Sequence, residues 1–358
     1  MSILTRYSYT TKKRRLLIGL LTVIPVIVLF AAAILYFVCQ VRGLLKNIDV
    51  ILVDELKRYT NRDVKVGRVV TSQQGTAIIY NVRIANGRSF DDGTLLDAEK
   101  VIVNYRWRDI VFKKRPAIQC VGPIQLYSPK IYLERFKDGS LNIKDLLKRR
   151  PGPPRPPFIA VVKMTDGSLT FRDWRSNVPG ANSVITKATG INGTFDASNA
   201  PQYVFNLTAN SKNLFDEVSM SGSIDNKNGI IAFDVNADNI DAAHWLSYFI
   251  RPTASFDLQR GRADARISVT RRTVNRKSIW SFIGAADIDQ GQAMVTGLRK
   301  PATNVKGHID LTNSLVRLDL NALIAGSPVI VKGTVADFSK PSINLRAETK
   351  RIDFTRAF

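Results

Sequence analysis

The sequence predicts a mainly β protein, an elongated antiparallel sheet preceded by one transmembrane helix and a short amphipathic helix. Three observations carry that reading. An uncharged run from Leu16 to Val41 follows Lys12-Lys13-Arg14-Arg15. From Val64 onward the apolar residues recur with a period of two. A strand unit led by glycine returns through the later half of the chain.

The span comes first. As a helix, Leu16 to Val38 rises at about 1.5 Å per residue to about 35 Å, enough to cross a hydrocarbon core of about 30 Å with some tilt. The cationic cluster lies on its N-terminal side, so the positive-inside rule keeps residues 1–15 in the cytoplasm and exports 42–358. Residues 16–41 are therefore expected to anchor the chain. A cleaved signal peptide is the rival, with Ala31-Ala32-Ala33 as its cutting site. The apolar run continues through Ile34-Leu35-Tyr36-Phe37-Val38, past the usual length of a cleavable segment. Cys39 is preceded by Val38, whereas lipid attachment wants a small residue there.

After the span, Leu45, Ile48, Leu52, Leu56 and Tyr59 share one helical face, flanked by Leu44 and Ile51, with Asn61-Arg62 marking the end. This amphipathic helix is expected to cap an open sheet edge rather than lie on the bilayer.

Charge excludes less than it suggests. The chain of 358 residues carries 52 Lys+Arg against 30 Asp+Glu. Part of the surplus is the topology signal, and the rest is scattered as Lys113-Lys114-Arg115, Lys148-Arg149-Arg150, Arg271-Arg272, Arg276-Lys277 and Arg299-Lys300. No zinc-finger spacing, recognition helix or aromatic RNA-binding pattern accompanies these clusters, so nucleic acid is not expected. Anionic headgroups or wall polymers are the better counterparts, beside the plain alternative of a solvated basic surface.

Catalysis lacks material. His244 and His308 are far apart, no nucleophile-elbow, metalloprotease or phosphate-loop pattern occurs, and the two cysteines, Cys39 and Cys120, form no framework. No enzyme, cofactor or metal is expected, and Cys120 is expected in a core.

The strands are read from alternation. Ile78, Tyr80, Val82 and Ile84 form one such series, and Val101, Val103, Tyr105 and Trp107 another. The pattern returns at Tyr203, Phe205, Leu207; Ile231, Phe233, Val235, Ala237; Ala265, Ile267, Val269; Val316, Leu318, Leu320; Val329, Val331, Val335; and Ile343, Leu345, Ala347. Asn86-Gly87, Asp91-Asp92-Gly93, Asp138-Gly139, Asp166-Gly167, Asn192-Gly193 and Asn228-Gly229 read as turns between antiparallel hairpins. Leu141 to Leu147 reads as a short helix, and Asp241 to Phe249 as a second, with Asp241 as N-cap. The five prolines of 151–157 exclude helix and central strand, so they separate a helix-capped β region at 42–150 from a repetitive β region at 158–358. In the latter, Met220-Ser221-Gly222-Ser223-Ile224-Asp225, Val305-Lys306-Gly307-His308-Ile309-Asp310 and Val331-Lys332-Gly333-Thr334-Val335-Ala336 repeat one strand unit.

Pro129-Lys130-Ile131-Tyr132-Leu133-Glu134-Arg135, followed by Asp138-Gly139-Ser140-Leu141-Asn142-Ile143, resembles the N-terminal signature of the AsmA-like family, its TamB-type members above all. The proline-rich break, Val161 to Leu169 and the glycine-led repeats are similar to the elements that follow in that family. The resemblance implies a bridge-like lipid-transfer architecture: a curved antiparallel sheet folded into an apolar trough, anchored in the inner membrane with its bulk in the periplasm. It also implies phospholipids as cargo, with an outer-membrane barrel protein or further β-trough segments as partners. The residues expected to line the groove are Val103, Tyr105, Phe205, Phe233, Val235, Ile267, Val269, Val316, Leu318, Leu320 and Leu345. An acyl chain needs only a continuous apolar surface, its headgroup staying wet at the rim. Two alternatives stay open: an apolar face in alternating strands also suits the sealed core of a β-sandwich, and a closed β core suits an envelope assembly factor or scaffold for outer-membrane protein biogenesis.

Overall fold

The computed structural model describes the chain from Val53 onward, apart from 55–56, 58–59, 73, 107, 110–112, 114–119, 145–158, 175–182, 250–255, 275–276, 337–341, 352–354 and 356–358. The expected cytoplasmic segment 1–15, the anchor 16–41, most of the amphipathic helix and the loop 151–157 lie outside the described residues. Among the described residues no helix is long and apolar enough to cross a membrane. Two compact units divide the chain, Met1–Leu56 and Lys57–Phe358. In the first, Val53 and Asp54 are described and helical. In the second, Lys57 and Thr60 are helical, and the Asn61 amide donates to the Lys57 carbonyl at 2.7 Å. Asn61 then takes a left-handed φ of 56°, a conformation asparagine tolerates at helix ends.

Among the described residues that follow, the chain is mainly β, with an α-helix, a 3-10 turn at Phe90–Asp92 and helical residues such as Arg108 and Asp109. The strands are β1 (Val64–Lys65), β2 (Val69–Ser72), β3 (Thr76–Ala85), β4 (Thr94–Tyr105), β5 (Val121–Tyr127), β6 (Lys130–Arg135), β7 (Val161–Asp173), β8 (Val184–Asp196), β9 (Gln202–Ser211), β10 (Phe215–Asp225) and β11 (Ile230–Asp241). Helix α1 (Ala242–Phe249) follows, then β12 (Phe256–Val274), β13 (Lys277–Val295), β14 (Ala302–Thr312), β15 (Leu315–Ile324), β16 (Ser327–Ala336) and β17 (Ser342–Glu348). All belong to one sheet of 17 strands. From β7 to β17 each strand pairs antiparallel with the next in sequence.

The expected purely antiparallel order is corrected at one place. β5 and β6 occupy a single ladder position beside β4, interrupted at Ser128, whose φ is 45°. Both run parallel to β7, Ile124 opposite Val162 and Arg135 opposite Asp173, so the sheet is mixed. Parallel neighbours need a long crossover rather than a tight turn, and residues 136–160, with the proline-rich stretch, supply it. The sheet is continuous across that connection. The described part of the expected helix at Leu141 is a bridge from Leu141 to Arg135 and a turn over 142–144.

Two expected turns are not turns. Asp166-Gly167 lies inside β7 and Asn192-Gly193 inside β8, where the register shifts between Met164 and Gly167. Asp166 has a left-handed φ of 52°, and its amide donates to the Asn192 side chain at 3.0 Å, so the polar pair fastens a bulge within a long hairpin. Asn81 also takes a left-handed φ, 54°, inside β3, without a shift of register there. The buried side chains there are Ala77 and Ile79 before it and Val82 after it, so the single-phase series Ile78, Tyr80, Val82, Ile84 is broken by one residue. α1 forms as expected: Asp241 accepts the His244 amide at 3.0 Å as an N-cap.

The deepest core lies in β3 and β4, where Ala77, Ile79, Ala98, Val101 and Val103 are buried with Cys120. A second cluster joins Ala188, Ile191 and Phe215, with Leu169, Ile240 and Trp245 packed against it. In β12 to β17 the buried apolar residues are small: Ala263, Ala293, Ala302, Val305 and Val329.

Candidate functional site

One face of the sheet is apolar from strand to strand. Register places Val69, Ile79, Val101, Leu126, Met164 and Gly193 side by side across β2 to β8. The same row continues through Leu207, Met220, Val235, Ile267, Gly284, Leu311, Val316, Val335 and Ile343 to β17. No polar side chain interrupts it. At about 4.8 Å per strand it extends over about 65 Å of ladder.

Parallel rows flank it. One runs Ala77, Val103, Ile124, Val162, Phe195, Phe205, Gly222, Phe233, Val269, Phe282. The other runs Ala209, Val218, Ala237, Ala265, Ala286, Ile309, Leu318, Gly333, Leu345. All eleven groove residues named from the sequence therefore stand on one face. Tyr105 lies beyond the first flanking row, opposite Val121, and Leu320 beyond the second, between Gly307 and Val331.

The opposite face is wet. Its row Thr208, Ser219, Asn236, Arg266, Ala285, Asp310, Arg317, Thr334, Asn344 is polar apart from one alanine. His308 sits on this face, its Nδ1 2.7 Å from Asp287 and its Nε2 3.1 Å from Asp310. Hydrogen bonding to Asp287, then to Asp310, raises its pKa above the ordinary histidine value.

Coverage of the apolar face falls along the chain. In the longest row Ile79 and Val101 are 3% and 7% exposed, but every later member except the last is half-buried and Ile343 is 65% exposed. Of the eleven named residues Val103 is buried, Leu345 is exposed and the other nine are half-buried. Apolar side chains left half open to water in so long a band are unusual on a protein without a partner or ligand.

Two polar groups share this face. The Tyr105 hydroxyl is buried with no hydrogen-bond partner, and desolvation raises its pKa. Arg271 stands opposite Trp280, its guanidinium carbon 5.9 Å from the indole centroid and its Nε buried without a partner. The motif residues behind the family resemblance are structural instead. Asn142 donates to the Tyr132 carbonyl at 2.9 Å and accepts the Glu134 amide at 3.1 Å, while Arg62 donates to the Asn142 carbonyl at 2.7 Å. Arg135 forms a two-pronged ion pair with the fully buried carboxylate of Asp173. These bonds fix the junction of β3, β6 and β7.

Among the described residues no cluster of His, Cys, Asp and Glu has the geometry to hold a metal ion. No family model matches the chain, and no characterised protein matches its sequence. What sequence reasoning missed is the row itself, since neighbours on a row are set by pairing rather than by spacing. It also missed Ile279, Trp280 and Ile283, where strict alternation gives way to adjacent apolar residues.

Proposed function

We propose that this protein is a membrane-anchored extracytoplasmic conduit for phospholipids, its sheet serving as an apolar trough that carries acyl chains between the inner membrane and an outer envelope layer. The observation that carries this reading is the uninterrupted apolar row from Val69 to Ile343, half open to water over most of its length. Acyl chains gain roughly 25 cal/mol for each Å² of apolar surface removed from water, and a band without polar steps offers them the same environment at each strand. Nothing in this role requires a nucleophile, a metal or a cofactor. The resemblance of Pro129–Arg135 and Asp138–Ile143 to the AsmA-like signature, and the uncharged run behind Lys12–Arg15, agree with it.

A photo-crosslinker placed at Leu318 or Val235 in the membrane-embedded full chain tests the proposal. Lipid adducts at both positions are the expected result. Adducts with protein alone, at these and neighbouring positions of the row, overturn it in favour of a closed β core serving as an envelope assembly scaffold.

A further inference from the structure

The β12–β13 hairpin departs from the rest of the sheet in length, polarity and charge. Its two strands are 19 residues each, while the flanking β11 and β14 have 12 and 11. β14 stops pairing where Thr312 meets Ile283, so among the described residues β13 continues from Phe282 back to Lys277 with no strand on that side, while β11 stays paired with β12 as far as Ile230 opposite Arg272. At about 3.4 Å per residue this leaves about 20 Å of the β13 edge uncovered. On the β14 side Asn313 accepts the Phe282 amide at 2.5 Å and donates to the Trp280 carbonyl at 2.9 Å.

Alternation should leave such a strand with a polar outer face. Here both faces are apolar. Trp280, 53% exposed, continues the apolar face beyond Phe282, while Val274, Ile279 and Ile283 on the other face are 49%, 56% and 63% exposed. From Ala265 to Ala286 the chain has no Asp or Glu and five cations: Arg266, Arg271, Arg272, Arg276 and Lys277. A hairpin end apolar on both faces, with Trp280 exposed and with cations but no acid in its sequence, matches the membrane interface. Indole settles at headgroup depth, aliphatic side chains enter the acyl boundary, and Arg and Lys meet lipid phosphates.

We propose that the β12–β13 tip is a docking finger for an anionic lipid surface. This does not rest on the conduit reading: a scaffold with a closed core could carry the same finger. Nucleic acid or an acidic protein would answer to the charges, but neither accounts for apolar side chains on both faces of one hairpin end.

The test uses the full chain held in neutral-lipid nanodiscs and asks whether it co-floats with added vesicles. Vesicles of phosphatidylcholine doped with phosphatidylglycerol are expected to be captured, pure phosphatidylcholine far less, and high salt to weaken the capture. The triple change Arg272→Gln, Arg276→Gln, Lys277→Gln should weaken binding about a hundredfold, at about fivefold for each cation removed. Ile279→Ser with Trp280→Ser and Ile283→Ser should abolish it with the charges intact. Both variants should melt like the parent, because Ile279, Trp280 and Ile283 are each more than half exposed. Failure of the parent to capture anionic vesicles, or undiminished capture by both variants, overturns the proposal. So does a tip crosslinker that yields protein or nucleic-acid adducts only. Lipid adducts at Leu318, measured in the same variants, report on the conduit separately.

Discussion

At the scale of single residues, Leu318 separates an open apolar face from a sealed one. It stands between Ile309 and Gly333, half-buried, with Asp319 next along the strand on the wet face. A carboxylate buried without a partner costs several kcal/mol, whereas one that water reaches costs far less. Leu318→Asp is therefore expected to express and melt close to the parent while lipid crosslinking across that row is lost. Asp319→Asn breaks only an exposed pair with Lys332 at 2.9 Å, worth under about 1 kcal/mol, and should leave crosslinking intact. Loss of soluble expression in Leu318→Asp alone identifies a sealed core. His308 gives a pH prediction. Its raised pKa means that the Asp287 and Asp310 contacts favour the protonated ring, so their contribution is complete below the ordinary value of 6.5 and is lost as pH rises through the raised value. Imidazole titration by NMR should show the shift, and Asp287→Asn should move the pKa back down.

Among the elements, the glycine-led repeats have a mechanical role. Gly307 and Gly333 adopt φ of 146° and 154°, and a Cβ at either would lie 2.1 or 2.0 Å from a backbone carbonyl of the adjoining strand. Neither space nor backbone conformation admits a side chain. Gly307→Ala is expected to lower stability by about 1–3 kcal/mol, read by chemical denaturation, while Gly326→Ala, with open space around it, pays only for its φ of 83°. The recurrence of these glycines was legible in the sequence because it is local, as were the turn at Asn228-Gly229, the N-cap at Asp241 and the alternating strands. The parallel seam between β6 and β7 was not, because its partners lie on either side of a proline-rich crossover that carries no pairing signal. The phase change at Asn81 and the bulge at Asp166 were hidden because a left-handed asparagine or aspartate looks the same in sequence as one that ends a strand. The candidate face was legible as a set of residues, and its continuity only from register.

Over the whole of the second unit, side-chain coverage declines along the ladder. It is densest around Ile79, Val101 and Val103 and lowest at β17, where every residue is exposed. Stability in such a sheet is local, because each strand is held chiefly by its two neighbours. Amide exchange should therefore be slowest in β3 and β4 and quicken towards β17, which has β16 as its one strand partner among the described residues. Uniform protection from β3 to β17 would show instead that the sheet opens as one cooperative block.

The rows have a corollary for how long such a sheet can be. Each member of the apolar face is placed by the register of neighbouring strands. Removing one complete hairpin, or inserting one of matching phase, keeps antiparallel direction and inside-outside parity for everything downstream. Length is then a quantity that can change in steps of two strands, about 10 Å each, without redesign of the rest. A sheet built in this way can be lengthened or shortened as a rope is cut to measure.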